Sequence, residues 1–132
     1  MALLQRSELG RLKAKRLGGI KPTERKGKEW GYLIIWEFQV RQRMEKRFKK
    51  AYGPKGEWAG LFRQDDSYIG TELVHETKAG RTYVTLDFWT SKEAYDRFRE
   101  QHLSEYEAID KKCEDLTESE REIGSFVRVS NE

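Results

Sequence analysis

The sequence has few of the residues that build disulfides and metal centres. Its 132 residues include one cysteine, Cys113, and two histidines, His75 and His102. One cysteine excludes an intramolecular disulfide and a zinc site built from thiolates, and it is typical of a reducing compartment, so we expect a cytoplasmic protein. The two histidines are far apart, and no cysteine or acid accompanies them at ligand spacing. The sequence therefore predicts no metal site.

Long apolar runs and phosphate-binding glycine patterns are missing too. No segment approaches the roughly 18 apolar residues that a membrane helix needs, and the first residues lack the apolar centre of a secretory signal. Gly70 and Gly80 indicate turns or a bulge, and no P-loop pattern is present. We therefore expect neither a membrane protein nor a P-loop enzyme.

Charged residues are plentiful but unevenly distributed. Residues 1–29 carry nine Lys or Arg against three acids, whereas the rest of the chain carries 17 basic and 20 acidic residues. We interpret residues 1–29 as a basic, flexible extension, with an organelle-targeting peptide or a nucleic-acid arm as alternatives. Residues 30–132 are predicted to form one domain, and their acidic balance gives no sign of a nucleic-acid partner.

The spacing of the apolar residues predicts six elements in the order β-α-β-β-α-β. The predicted strands are residues 32–40, 68–76, 81–89 and 123–129, and the predicted helices are residues 44–64, bent or broken in two, and 92–113. Gly53 and Pro54 interrupt the first helix, and Ser91 is the expected N-cap of the second. Thr117 and Glu120 have capping-box spacing, which predicts a short closing turn.

This order is that of the ferredoxin-like folds, an α+β class in which both helices pack on one face of a four-stranded antiparallel sheet. Trp36 and Phe38 alternate on one face of the first strand, which we expect to meet the helices. Leu33 and Ile35 lie on the other face and need cover. A second copy of the sheet is the simplest cover, so we predict a homodimer closed into an α+β barrel.

Four strings resemble the antibiotic biosynthesis monooxygenase family, over residues 32–129. They are residues 35–40 (IWEFQV), 51–58 (AYGPKGEW), 68–73 (YIGTEL) and 83–95 (YVTLDFWTSKEAY). The last string, an aromatic strand followed by a helix start, is the most specific. The resemblance implies the dimeric α+β barrel fold, which hosts oxygenases, haem-degrading enzymes, isomerases and proteins of no known activity.

The resemblance also implies a pocket for a small aromatic molecule between helices and sheet. The family's oxygenases use no metal or flavin: the protein deprotonates a phenol, quinol or anthrone, and the anion reacts with dioxygen. We therefore predict a monooxygenase that uses no cofactor. His102 is the candidate base, because histidine titrates near neutrality, and Tyr95 and Tyr106 are candidate orienting donors. The candidate substrate-binding walls are Trp36, Phe38, Trp89 and Phe98. The family pocket also contains an Asn, but the only one here is Asn131.

Several alternatives stay open at this point. The stripe that contains His102 could be ordinary core, and the protein could be a non-catalytic dimeric barrel that binds a hydrophobic small molecule. Glu37 and Asp87 stand inside strands, either as acids facing a dimer mate or as exposed edge residues. An RNA-recognition domain has the same element order, but its third strand needs a Lys/Arg-Gly-Phe/Tyr pattern, and residues 81–88 contain no glycine.

Overall fold

The structure, a computed structural model, describes residues 28–129. The predicted basic extension, except its last two residues, lies outside the described residues. The elements are β1 (Tyr32–Val40), α1 (Glu45–Tyr52), α2 (Glu57–Phe62), β2 (Tyr68–His75), β3 (Thr82–Trp89), α3 (Lys92–Gln101), α4 (Leu103–Cys113), a 3-10 helix (Glu114–Leu116) and β4 (Thr117–Val127). The predicted α+β class is confirmed, with each predicted helix divided in two.

The four strands form one antiparallel sheet in the order β2-β3-β1-β4, which is the ferredoxin-like topology. In the register of β1 and β3, Trp36 lies opposite Thr85, and Ile34 lies opposite Asp87. Residues directly opposite each other project from the same face of a sheet. Trp36, Thr85 and Asp87 therefore share the face that the helices cover.

Local sequence signals set the helix boundaries. The Ser91 hydroxyl accepts a hydrogen bond of 3.1 Å from the backbone N–H of Ala94, so Ser91 is the N-cap of α3, as predicted. Between α1 and α2 the chain turns so tightly that a Cβ on Gly56 would lie 2.3 Å from the carbonyl oxygen of Ala51. Only glycine fits there without a shift of the backbone.

Two predicted features are wrong. The long helix over residues 92–113 is interrupted at His102, whose φ of −119° and ψ of 26° are not helical. The closing turn predicted from Thr117 and Glu120 does not form, because both residues belong to β4 and pair with β1. Backbone pairing along the edge of β1 satisfies more hydrogen-bonding groups than an isolated turn would.

The core has two parts, one on each face of the sheet. The helix face is packed mainly with aromatic rings, and those fully buried there are Phe48, Tyr68, Tyr83, Trp89 and Phe98. The other face carries a smaller aliphatic cluster of Leu33, Ile35, Ile69, Leu86 and Phe88, each exposing at most 4% of its surface. No helix in the described part of the chain is long and apolar enough to cross a membrane.

Candidate functional site

A cavity of about 360 Å³ lies between the sheet and the helices. Its walls are the aromatic side chains of Trp36, Phe38, Tyr52, Trp58, Phe62 and Tyr106. Thr71, Thr85 and Asp87 supply polar groups from the middle of the sheet, and four charged side chains complete the lining. A cavity of this size with aromatic walls and convergent polar groups is a usual form of small-molecule site.

Asp87 is the acid at the sheet side of the cavity. It is half-buried, and its exposed part faces the cavity. Burial among protein atoms disfavours the charged form and raises the pKa of the carboxyl to about 6, although a hydrogen bond from Thr71 acts in the opposite direction. The carboxyl is therefore a stronger base than an ordinary aspartate and is still ionised at neutral pH.

A chain of hydrogen bonds holds Asp87 in place. The Thr71 hydroxyl donates to Oδ1 of Asp87 at 2.6 Å, and the Tyr68 hydroxyl lies 2.6 Å from the same Thr71 oxygen. Because the single Thr71 proton is directed at the carboxylate, Tyr68 is the donor to Thr71. A register shift between Tyr68 and Gly70 gives β2 an extra residue, so that Tyr68 and Thr71 project from the same face although they are three positions apart.

Two tyrosines lie on the helix side of Asp87. The phenols of Tyr95 and Tyr106 lie close enough to affect each other's pKa. Burial raises the pKa of both phenols, and the negative charge of Asp87 adds to the effect. Both tyrosines therefore remain protonated at neutral pH and can serve as hydrogen-bond donors beside the carboxylate.

Charged side chains surround the entrance of the cavity. Arg99 lies over the ring of Tyr106, with its guanidinium carbon 4.6 Å from the ring centre. Asp110, Glu120 and Glu122 also line the cavity and are exposed to solvent. Burial, followed by repulsion from Asp110, raises the pKa of the Glu120 carboxyl. Arg99 is thus the one cation among the described residues that line the cavity.

Three of the predicted site residues line the cavity: Trp36, Phe38 and Tyr106. Tyr95 is buried and does not line the cavity, although it lies close enough to Tyr106 to affect its pKa. Trp89 and Phe98, predicted as walls, are fully buried in the aromatic core, with their rings 5.1 Å apart. They support the site from behind rather than forming its surface.

His102 lies outside the cavity. The break between α3 and α4 turns it away from the stripe, so its ring stacks on the outer side of Phe98 at 4.6 Å and its Nδ1 pairs with Glu105 at 2.6 Å. The geometry therefore does not place His102 where a base would meet a substrate in the cavity. Asp87 occupies that position instead.

The position of Asp87 on the helix face of the sheet could be read from the sequence. It alternates with Tyr83, Thr85 and Trp89 along one strand, and the aromatic members of that set predict the buried face. Thr71 had no such signal, since the bulge in β2 is not visible in the sequence. Within residues 28–129, no group of three or more His, Cys, Asp or Glu side chains is arranged to hold a metal ion.

The fold and the cavity together define a ferredoxin-like protein with a site between sheet and helices, and solved structures share this fold. SnoaB, a cofactor-independent oxygenase from Streptomyces nogalater, is 17% identical, with a TM-score of 0.57 over 77% of this chain and 96% of SnoaB. A candidate antibiotic biosynthesis monooxygenase from Deinococcus radiodurans is 8% identical, with a TM-score of 0.61 over 76% of this chain and 94% of that one. A dimeric ferredoxin-like protein from an uncultured marine organism is 15% identical, with a TM-score of 0.58 over 78% of this chain and 91% of that one.

These likenesses confirm the resemblance at the level of the fold: the chain has the fold of the antibiotic biosynthesis monooxygenase-like α+β barrel proteins. No family model matches the chain, and no curated protein matches it. Identities of 8 to 17% carry the fold and not the reaction.

Proposed function

We propose that the protein is a cofactor-independent monooxygenase that oxidises a small, electron-rich aromatic substrate, with Asp87 as the general base. The observation that carries the proposal is the Asp87 carboxyl, held by the Thr71 hydroxyl at one side of an aromatic-walled cavity of about 360 Å³. Such a carboxylate can take a proton from an acidic phenol or anthrone, and the aromatic walls of the cavity can stack on the rings of this substrate. The fold shared with SnoaB supports dioxygen as the co-substrate.

The reaction needs the site to hold and move one proton. Asp87 removes a proton from the ring carbon or hydroxyl, and Tyr106 donates a hydrogen bond to the oxygen on which negative charge develops. The electron-rich anion then reduces dioxygen and forms a carbon–oxygen bond, and the resulting peroxide anion takes the proton back from Asp87 to become a hydroperoxide. For an anthrone-like methylene, loss of water breaks the oxygen–oxygen bond and leaves a carbonyl, so that one dioxygen yields one carbonyl and one water.

The aromatic walls of the cavity shield this anion from part of the bulk water. Trp36 and Phe38 cover it from the sheet, and Trp58 and Phe62 cover it from α2. Desolvation strengthens the interaction between the anion and the Tyr106 hydroxyl, since a low local dielectric constant screens charges weakly. Arg99 at the entrance adds a positive charge that favours an anionic phenolate over its neutral form, and it opposes the effect of the carboxylates of Asp110, Glu120 and Glu122.

The experiment that tests the function is oxygen uptake by metal-stripped protein with anthrones, quinols and catechols, together with product analysis in ¹⁸O₂. We expect uptake of one dioxygen per product and one labelled oxygen atom in the product. Binding of these compounds without oxygen uptake would replace the proposal with the alternative of a barrel that only binds a hydrophobic small molecule.

We further propose that the protein is a homodimer formed through the aliphatic face of the sheet. Phe126 lies opposite Leu33 on that face and exposes 42% of its surface. Val127 and Val129 continue this exposed apolar end of β4, which is an edge strand. An exposed apolar edge favours association with a second chain, and a structural neighbour is named as a dimeric ferredoxin-like protein.

A further inference from the structure

A second depression, of about 570 Å³, lies on the outer side of the helices, and four of the nine described residues that line it are basic. We refer to it as the basic groove. Among the described residues that line it, the cations are Arg47, Lys50, Lys55 and Lys112, and the acid is Glu57. Ala51, Cys113 and Leu116 form its buried, apolar floor. The groove is separate from the cavity, because Tyr52 and Trp58 line the cavity from the inner side of the same segments.

The positive charge is concentrated in one short segment of the chain. Residues 41–55 carry seven Lys or Arg and one acid, whereas residues 56–132 carry ten basic and eighteen acidic residues. The one acid, Glu45, accepts a hydrogen bond of 2.6 Å from the Tyr83 hydroxyl and is turned toward the core. The outer surface of α1 is therefore almost purely basic on an otherwise acidic domain, which produces a local positive potential.

The fold builds the groove from three segments. Phe48, Ala51 and Tyr52 bury one side of α1, so Arg47 and Lys50 project from the other side. The close approach of Gly56 to the carbonyl oxygens at residues 50 and 51 brings the loop that carries Lys55 against the end of α1.

Lys112 closes the groove from α4, where its Nζ lies 2.9 Å from Oε2 of Glu57. Among the described residues, no carboxylate pairs with Arg47, Lys50 or Lys55.

We propose that the basic groove is a binding site for a diphosphate group. Four cations and one acid give the groove a net charge of +3. A single phosphate group carries about −1.5 to −2 charges near pH 7, so two linked phosphates match that charge better than one. Arg47 supplies a planar fork suited to a phosphate's oxygens, and the lysines supply point charges around it.

The test is isothermal titration of the full chain with inorganic pyrophosphate, ADP and citrate in buffer of about 10 mM ionic strength, where surface charges are weakly screened. The groove variant is Lys50→Ala with Lys55→Ala. The matched control is Lys46→Ala with Lys49→Ala, which removes the same charge from exposed positions of α1 that do not line the groove. Circular dichroism confirms that each variant folds.

We expect pyrophosphate to bind wild-type protein and the control with similar affinity, and the groove variant at least about tenfold more weakly. Tighter binding of ADP than of pyrophosphate would identify a nucleoside diphosphate as the ligand, and equal binding would identify the free anion. An equal loss of pyrophosphate affinity in both variants would overturn the proposal, because it would show that the general positive charge of α1, and not the groove, attracts the anion. Citrate that binds as tightly as pyrophosphate would overturn it as well, and so would the absence of pyrophosphate binding. The same holds if an oligonucleotide, titrated as a further ligand, binds and pyrophosphate does not.

Discussion

The Thr71 hydroxyl donates a hydrogen bond of 2.6 Å to Oδ1 of Asp87 from the neighbouring strand. This bond stabilises the ionised carboxylate and so opposes the effect of burial on its pKa. In Thr71→Val we therefore expect the pKa of Asp87 to rise above about 6, by on the order of one unit. The midpoint of the pH profile of kcat/KM should move to higher pH by the same amount, because the base acts only when ionised.

Thr85→Val is the matched control for this prediction, because Thr85 is a buried threonine that also lines the cavity. Its pH midpoint should equal that of wild type. A profile in which Thr71→Val and Thr85→Val behave identically would contradict the role assigned to the Thr71 hydroxyl.

The raised pKa of Asp87 predicts how stability depends on pH. The folded carboxyl holds its proton up to about pH 6, whereas the unfolded one releases it near 3.8, so between these values the folded state binds more protons. The free energy of unfolding contributed by this group therefore falls as pH rises through that window, by on the order of 2 kcal/mol. In Asp87→Asn this part of the decline should disappear in urea unfolding curves recorded from pH 4 to 7. An unchanged pH dependence in the variant would rule out Asp87 as its source.

Two glycines near α2 should respond in opposite ways to alanine. At Gly56 the new Cβ would lie 2.3 Å from one carbonyl oxygen and 2.4 Å from another, so Gly56→Ala should lower the free energy of unfolding by on the order of 2 kcal/mol. At Gly60, inside α2, the Cβ has no heavy atom within 4 Å, and alanine should raise stability by up to about 1 kcal/mol. Chemical denaturation of the Gly56→Ala and Gly60→Ala variants measures both changes in the free energy of unfolding. Destabilisation by Gly60→Ala would show that α2 is packed differently.

Phe126 and Leu103 lie on two different surfaces of the protein, so that substitutions of them test which surface forms the proposed dimer. Both are large exposed hydrophobic residues, with 42% and 48% of their surfaces exposed, but Phe126 lies on the aliphatic face of the sheet and Leu103 begins α4. Phe126→Asp should convert the proposed dimer to a monomer in size-exclusion chromatography with light scattering, and Leu103→Asp should leave it dimeric. A wild-type chain that elutes as a monomer at micromolar concentration would contradict the dimer.

The predictable parts of this protein were those fixed by local periodicity. The alternation in β1 placed Trp36 and Phe38 toward the helices, and Ser91 marked the start of α3. The break at His102 was not predictable, because the spacing of apolar residues continues across it. It separates one apparent stripe into two helices and removes His102 from the site.

The site itself depends on contacts between strands, which sequence spacing does not encode. The bulge in β2 brings Tyr68 and Thr71 to one face, and the register with β3 places Thr71 opposite Asp87. The sequence left Asp87 as an acid facing a dimer mate or an exposed edge residue, whereas the structure places it on the helix face with Tyr83 and Trp89. The sequence did not predict that this face stays open as a cavity, because cavity volume depends on how helices from elsewhere in the chain pack above it.

The measurement that tests the account most directly is oxygen uptake with an anthrone or quinol substrate by wild type, Asp87→Asn and His102→Ala in parallel. Asn keeps the shape of the side chain but cannot accept the proton, so Asp87→Asn should lose at least about a hundredfold in kcat. His102→Ala should turn over at a rate close to that of wild type, because His102 lies outside the cavity. Turnover retained by Asp87→Asn and lost in His102→Ala would contradict the assignment of Asp87 as the base.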